Sequence, residues 1–232
     1  LYRERGGRTL SGFRNRLRCG FPRSEGRMTS QRCLVVDFET GGLETNRASI
    51  ISMAAAVYDT AERFGRPNPA PLVAGETLFS RYIRPDWPVQ AQAAAVNGYH
   101  PDTWGEEDER GPVSPKEALD DFGMFIAHVA ADKDTPIHWT GANPSFDVRF
   151  YQSDQKRLKA IRPEGLSYRL IDVQSMAMPL LIQGEIQSVK LDGAPDRPGL
   201  RQWAGIPSTS AHTAMGDVLA TMFVLHKLLN RV

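Results

Sequence analysis

Cysteine is almost missing from this chain: 232 residues contain two, Cys19 and Cys33. Two thiols cannot build a disulfide framework, and their spacing offers no CxxC zinc pair. A reduced, cytoplasmic setting is therefore the expectation. No apolar run approaches the ~20 residues needed to cross a bilayer, so no membrane association is expected. Neither a GxxxxGK(S/T) phosphate loop nor a GxGxxG turn occurs, which leaves a nucleotide-binding module without support. Histidine is scarce as well, at five residues.

What is present is enough for a real core: 41% hydrophobic and 9% aromatic residues in a length that suits one domain of about 200 residues. Net charge is +1, but it is unevenly spread. Residues 1–27 carry eight arginines against Glu4 and Glu25, and the rest of the chain has five more acids than bases. The first 27 residues show no hydrophobic period and read as a basic, disordered tail. Met28 opens "MTSQRCLVVDFET", which reads as a natural start. The tail is then upstream translated sequence or an expression remnant. A nucleic-acid-binding arm and an Arg-rich transit segment are the competing readings. Residues 28–232 are expected to form the functional domain.

"CLVVDFE" is a continuous apolar run, as in a buried central strand. "SIISMAAAVYD" (49–59) and "ETLFSRYIRP" (76–85) follow as strands, the latter with Leu78, Tyr82 and Ile83 toward the core. "TGGLETNRA" and "GRPNPAPLVAG" are the turns between them, which gives an antiparallel meander. An Ala-rich helix ends at Gly98. A polar loop containing Trp104, a candidate lid residue, leads to Ser114 and Glu117. These two fit a capping box with Pro115 at the first helical position. Ala118, Phe122, Phe125, Ile126 and Val129 form that helix's apolar stripe. A strand at 136–142, a helix from Pro144 with Phe146, Phe150 and Leu158 as buried candidates, a strand at 168–173 and three further helices complete the chain. The last helix has Val218, Met222, Leu225 and Leu229 as its core stripe. The order predicts an α/β protein with a mixed sheet flanked by helices.

Acids stand where this pattern ends its strands and begins its helices. Asp37 and Glu39 are two apart on a strand, a spacing that points both carboxylates to one face. Alone, they also fit an exposed strand end. Asp147 falls in the first turn of its helix, where the macrodipole favours an acid, and Asn143 could cap that helix. His212 and Asp217 are five apart, about 140° on an ideal helix. They can converge only if His212 lies in the turn before the helix. Four acids gathered in one cleft would repel by several kcal/mol or become protonated. A divalent cation removes that conflict, and oxygen ligands with few histidines favour Mg²⁺ or Mn²⁺ over zinc.

With those residues in view, the chain resembles the DEDDh 3′–5′ exonucleases, the superfamily of the proofreading epsilon subunit of DNA polymerase III, RNase T and oligoribonuclease. "VVDFETGGL" looks like the first motif, "NPSFDVRFY" the second and "HTAMGDVLAT" the third, with its His-x-x-x-x-Asp spacing. "VNGYHPDTW" and "LIDVQSMA" are similar to the segments between. The likeness covers about residues 32–230. One departure is that the second motif usually reads His-Asn-x-x-Phe-Asp, and the histidine position here is Ala142.

The resemblance implies an RNase H-like exonuclease fold with a mixed five-stranded sheet. It implies hydrolysis of the 3′-terminal phosphodiester of single-stranded nucleic acid, DNA before RNA, to nucleoside 5′-monophosphates. Two Mg²⁺ or Mn²⁺ ions about 3.5–4 Å apart would serve an in-line displacement. Asp37 would bridge them, Glu39 and Asp217 would hold the ion carrying the attacking water, and Asp147 would support the other. His212 would accept the water's proton. Phe38, Thr40, Gly41 and Leu43 would hold the terminal nucleotide, with Phe38 as a wedge against the base and Asn143 and Phe146 as further contacts. For Leu43 and Phe146, plain core packing is the competing reading. His100, His128, His138 and His226 read as surface or satisfied histidines. No broad basic patch is visible, so short single-stranded ends, or delivery by a partner such as a polymerase subunit, fit better than tight duplex binding. The rivals are an exoribonuclease with the same chemistry and a non-catalytic accessory subunit that kept the fold.

Overall fold

The structure, a computed structural model, describes residues 31–60, 76–130, 136–208 and 211–231. The basic tail and the loop expected at 65–75 lie outside the described residues. Three strands come first: β1 (Arg32–Thr40), β2 (Ile50–Asp59) and β3 (Leu78–Tyr82). Then follow α1 (Ala91–Asn97), α2 (Pro115–Val129), β4 (Ile137–Gly141), α3 (Pro144–Leu158) and β5 (Leu166–Asp172). The chain ends with α4 (Val173–Ile182), a small hairpin of β6 (Gly193–Ala194) and β7 (Arg197–Pro198), α5 (Leu200–Ala204) and α6 (Ala214–Leu229). The β6–β7 hairpin was not expected from the sequence.

The main sheet has five strands in the order β3-β2-β1-β4-β5. β1, β2 and β3 pair antiparallel, while β4 and β5 run parallel to β1. The mixed sheet flanked by helices is thus as expected. β1 is the switch between the two halves, and its period of two sorts its side chains between two cores. Leu34, Val36 and Phe38 face α2 and α3, and Cys33 and Val35 face the α4–α6 side. Asp37 and Glu39 continue the Cys33–Val35 row, so they emerge on the face that α6 covers. Alanines 54 and 56 of β2 lie on that same face, and such small side chains let α6 pack directly across β1 and β2.

The other core is aromatic. The fully buried ring of Phe122 meets Phe38, Phe79, Phe125, Trp139 and Tyr151, with centroids 5.0–6.4 Å away. On β3 Phe79 enters this core, while Leu78 packs half-buried against the core on the other face; Tyr82 is half-buried, and Ile83 is buried as expected. The Ser114 hydroxyl accepts the N–H of Glu117 at 3.3 Å, with Pro115 opening α2, which is the Ser114 half of the expected capping box. Among the described residues no helix is long and apolar enough to cross a membrane.

Pairing between β1 and β4 is confined to Cys33–Val35 against His138–Thr140. The β1–β2 register shifts between Glu39 and Thr40. The carboxyl end of β1 therefore runs out of the sheet with one edge free. Such ends of central strands, where the sheet's connectivity reverses, are where clefts form in α/β folds.

Candidate active site

At that end of β1 the chain gathers its acids. A carboxylate oxygen from each of Asp37, Glu39 and Asp217 lies within 4.8 Å of the others. Asp37 and Glu39 arrive by strand alternation. Asp217 sits in the first turn of α6, where the helix N-terminus favours an acid. Thr213 caps that helix by accepting the N–H of Gly216 at 3.1 Å, which fixes its start. Asp147 comes from the opposite face of the sheet, in the first turn of α3. Its Oδ1 accepts the backbone N–H of Phe38 at 2.9 Å, beside Asp37.

His212 is in the turn before α6, the one placement that allows it to meet Asp217. Its φ is 62°, a left-handed conformation that histidine adopts more readily than most residues. A ring nitrogen lies within 4.8 Å of carboxylate oxygens of both Asp217 and Asp192. The imidazole is exposed.

Crowding shows in the electrostatics. Burial, then the charges of Asp147, Asp217, Glu39 and Asp192, push Asp37 well above the carboxylate range. Glu39 is raised to about 8 by burial and then by Asp217 and Asp147. Burial raises Asp147 to about 7, against the pull of the Phe38 N–H. Asp217 is also raised by burial, with Arg201 the main opposing influence. Carboxylates this close hold protons unless a cation compensates them. Three oxygen donors within 4.8 Å, a fourth acid alongside and no sulfur suit a hard divalent ion, Mg²⁺ or Mn²⁺.

Two clefts flank the acids and share Glu39 and Asn97. One, of about 420 Å³, is mostly apolar and is lined by Phe38, Thr40, Leu43, Val96 and Phe146, among others. The other, of about 170 Å³, holds Tyr82, Trp104, Glu107, His212 and Thr213. Asn97 joins α1 to the site by donating its side-chain N–H to the carbonyl of Thr40 at 3.2 Å.

The expected nucleotide contacts divide. Leu43 is 77% exposed at the apolar cleft, so the core-packing reading of it is overturned. Phe146 is half-buried, its ring tilted against Phe150 with centroids 5.0 Å apart, and it lines the cleft. Phe38 is 4% exposed and set edge-on to Phe122 at 5.7 Å. It forms part of the floor of the apolar cleft. The Thr40 hydroxyl donates to the Gly42 carbonyl at 2.7 Å, and Gly41 is bonded through its backbone to Ser49 and Gln90. Both shape the turn. Asn143 stands apart from both clefts. It has φ 67°, its side chain makes no capping bond, and its N–H donates to Asp172 at 3.1 Å.

Trp104 is anchored, its indole N–H donating to the Ile51 carbonyl at 3.0 Å, with Tyr82 and Tyr99 against its ring. That makes it a wall of the second cleft and not a free lid. His226 is buried against the Tyr58 hydroxyl at 2.9 Å, remote in role from the acids. Sequence reasoning missed two residues here: Asp192, near His212 and Asp217, and Arg201, which donates to both aspartates. The one available signal was an arginine in the first turn of "GLRQWAGI", where a five-residue helix packs on its neighbour.

No family model matches the chain, and no curated protein sequence matches it. Among solved structures it is similar to E. coli Exonuclease I in complex with a dT13 oligonucleotide. The identity is 21% and the TM-score 0.57, over 85% of this chain and 40% of that one. It is likewise similar to the zinc ion bound form of the E. coli ExoI–ssDNA complex, at 20% identity and TM-score 0.58, over 87% and 41%. The chain thus spans about two-fifths of the length of the structures it matches. The likeness establishes the RNase H-like exonuclease fold. The motifs' resemblance to the proofreading subunit, RNase T and oligoribonuclease is finer than this likeness carries.

Proposed function

We propose that the chain is a metal-dependent 3′–5′ exonuclease of single-stranded DNA, releasing nucleoside 5′-monophosphates. The observation that supports this reading is the meeting of Asp37, Glu39 and Asp217 within 4.8 Å at the junction of an apolar cleft and a histidine-bearing polar one. The similar structures add to it, since they are complexes of an exonuclease with single-stranded DNA.

Asp37, Glu39, Asp217 and Asp147 would hold the divalent cations, with Asp37 central because every other acid of the group acts on it. When bound, such ions supply an activated water and stabilise charge on the attacking and leaving oxygens. The protein's own part is positional. The terminal nucleoside enters the cleft lined by Leu43, Val96 and Phe146, which exclude water around base and sugar. Its phosphate then lies over Glu39, where the two clefts join. A ring nitrogen of His212 accepts the proton of the attacking water from the second cleft. A histidine suits that step at neutral pH, and its exposed position lets it approach as substrate seats.

Among the described residues, no lysine or arginine lines either cleft. The apolar cleft has room for about one nucleoside, which fits removal of single residues from a flexible end. A time course on 5′-labelled single strands, with Mg²⁺ or Mn²⁺ and with EDTA, tests the reading. The expected products shorten one nucleotide at a time and only with metal. Cutting from the 5′ end, or no metal dependence, overturns it. Matched DNA and RNA strands in the same assay decide the sugar preference.

A further inference from the structure

Arg201 is fully buried, the side chain having no exposed surface. Its Nε donates to Oδ1 of Asp192 at 2.6 Å, and its Nη2 donates to Oδ1 of Asp217. The third nitrogen, Nη1, has no partner among the described residues. Burying a guanidinium costs several kcal/mol unless its partners compensate, so its location calls for a reason. The backbone fixes it. Leu200 and Arg201 donate their N–H groups to the carbonyls of Lys190 and Leu191 at 2.9 and 2.8 Å. That pair of bonds locks α5 to the segment carrying Asp192. The arginine is therefore presented at a set position between two carboxylates that would otherwise repel.

We propose that Arg201 is a positioning residue of the cation site: it holds Asp217 by one oxygen, leaving the other for a metal ion, and acts as the resident positive charge between Asp192 and Asp217. The meaning of "cation site" rests on the function proposed above. Two consequences have opposite sign. Loss of the guanidinium removes a positive charge that a divalent ion must work against, so metal binding tightens although the metal-free fold weakens. Loss of Asp192 leaves Arg201 wholly to Asp217 and removes an anion, so metal binding weakens. A tie that served only the fold would move stability and leave metal affinity alone.

The test is Mn²⁺ binding by calorimetry, together with melting temperature with and without Mn²⁺, on the full chain in the absence of nucleic acid. Arg201→Gln is expected to melt lower than wild type without metal and to bind Mn²⁺ at least about tenfold tighter, since a unit positive charge bonded directly to one of the proposed ligands is removed. Arg201→Lys, which keeps the charge, is expected to bring the Mn²⁺ affinity back toward wild type. Asp192→Asn is expected to bind Mn²⁺ at least about fivefold more weakly. Should Arg201→Gln be unfolded alone, recovery of its fold by Mn²⁺ supports the proposal, and failure to recover at saturating Mn²⁺ overturns it. Unchanged affinity in Arg201→Gln, or unchanged or tighter binding in Asp192→Asn, also overturns it. Wild-type protein that binds Mn²⁺ but cleaves no strand refutes the nuclease reading alone, whereas wild type that binds no Mn²⁺ refutes this proposal.

Discussion

Oδ1 of Asp147 accepts the backbone N–H of Phe38 at 2.9 Å, which stitches the first turn of α3 to the strand residue between Asp37 and Glu39. The bond gives Asp147 a structural duty besides its proposed part in metal binding, and the two duties separate by substitution. Asp147→Asn keeps an acceptor oxygen and removes a charge from a repelling cluster. It is expected to melt at or above the wild-type temperature in the absence of metal while losing turnover. Asp147→Ala loses both, with about 1–3 kcal/mol of stability from the stranded N–H. Thermal melts beside the strand-shortening assay check this, and an active Asp147→Asn would remove the residue from the metal set.

The crowded acids make the metal-free protein pH-sensitive in an uncommon direction. Asp37 is raised well above its ordinary value, Glu39 to about 8 and Asp147 to about 7. Between the ordinary carboxylate range near 4 and these values, the folded state binds more protons than the unfolded one. Stability then falls as pH rises through about 7, where Asp147 titrates, and about 8, where Glu39 does. Melts in EDTA from pH 5 to 8.5 should show a declining midpoint. Mg²⁺ should restore more stability at pH 8 than at pH 5, because it binds the deprotonated acids. A midpoint that rises with pH across this range in EDTA contradicts the assigned electrostatics.

Leu43 is the exposed apolar residue of the nucleoside cleft. Truncating it to alanine should leave the melting temperature unchanged. KM for a single strand should rise about tenfold, the equivalent of ~1.4 kcal/mol of lost apolar contact. Steady-state kinetics on a labelled oligonucleotide read this directly. Phe38→Ala should do the opposite: its ring lies in the aromatic core, so destabilisation of about 3–5 kcal/mol is expected first.

His212→Ala should keep Mn²⁺ binding and the fold, since the imidazole is exposed, and lose about 10²–10⁴-fold in rate. Calorimetry and single-turnover rates separate the two effects. Near-normal turnover would remove His212 as the proton acceptor.

Strand alternation alone put Asp37 and Glu39 on one face, and a five-residue spacing showed that His212 had to precede its helix to meet Asp217. Those inferences survive because they depend on local geometry. Phe38 is legible only in part, for the complementary reason. The same alternation that sends its two neighbours toward α6 sends Phe38 to the other core, and only the position of Phe122 reveals what it packs against. Leu43 could not be placed because a turn has no period. Asp192 and Arg201 stayed hidden because their pairing spans a hairpin two residues per strand, too short to leave a hydrophobic pattern. The tie between them and Asp217 is tertiary, formed only when α5 docks on α6.

Asp37 carries the central claim, since it meets the charge of every other acid in the cluster. The most direct measurement is a gel time course on 5′-labelled single-stranded DNA and RNA, wild type beside Asp37→Ala, with Mn²⁺, with Mg²⁺ and with EDTA. Stepwise loss from the 3′ end that requires metal and disappears in Asp37→Ala is the predicted result. Metal-dependent shortening that persists at wild-type rate in Asp37→Ala would contradict it.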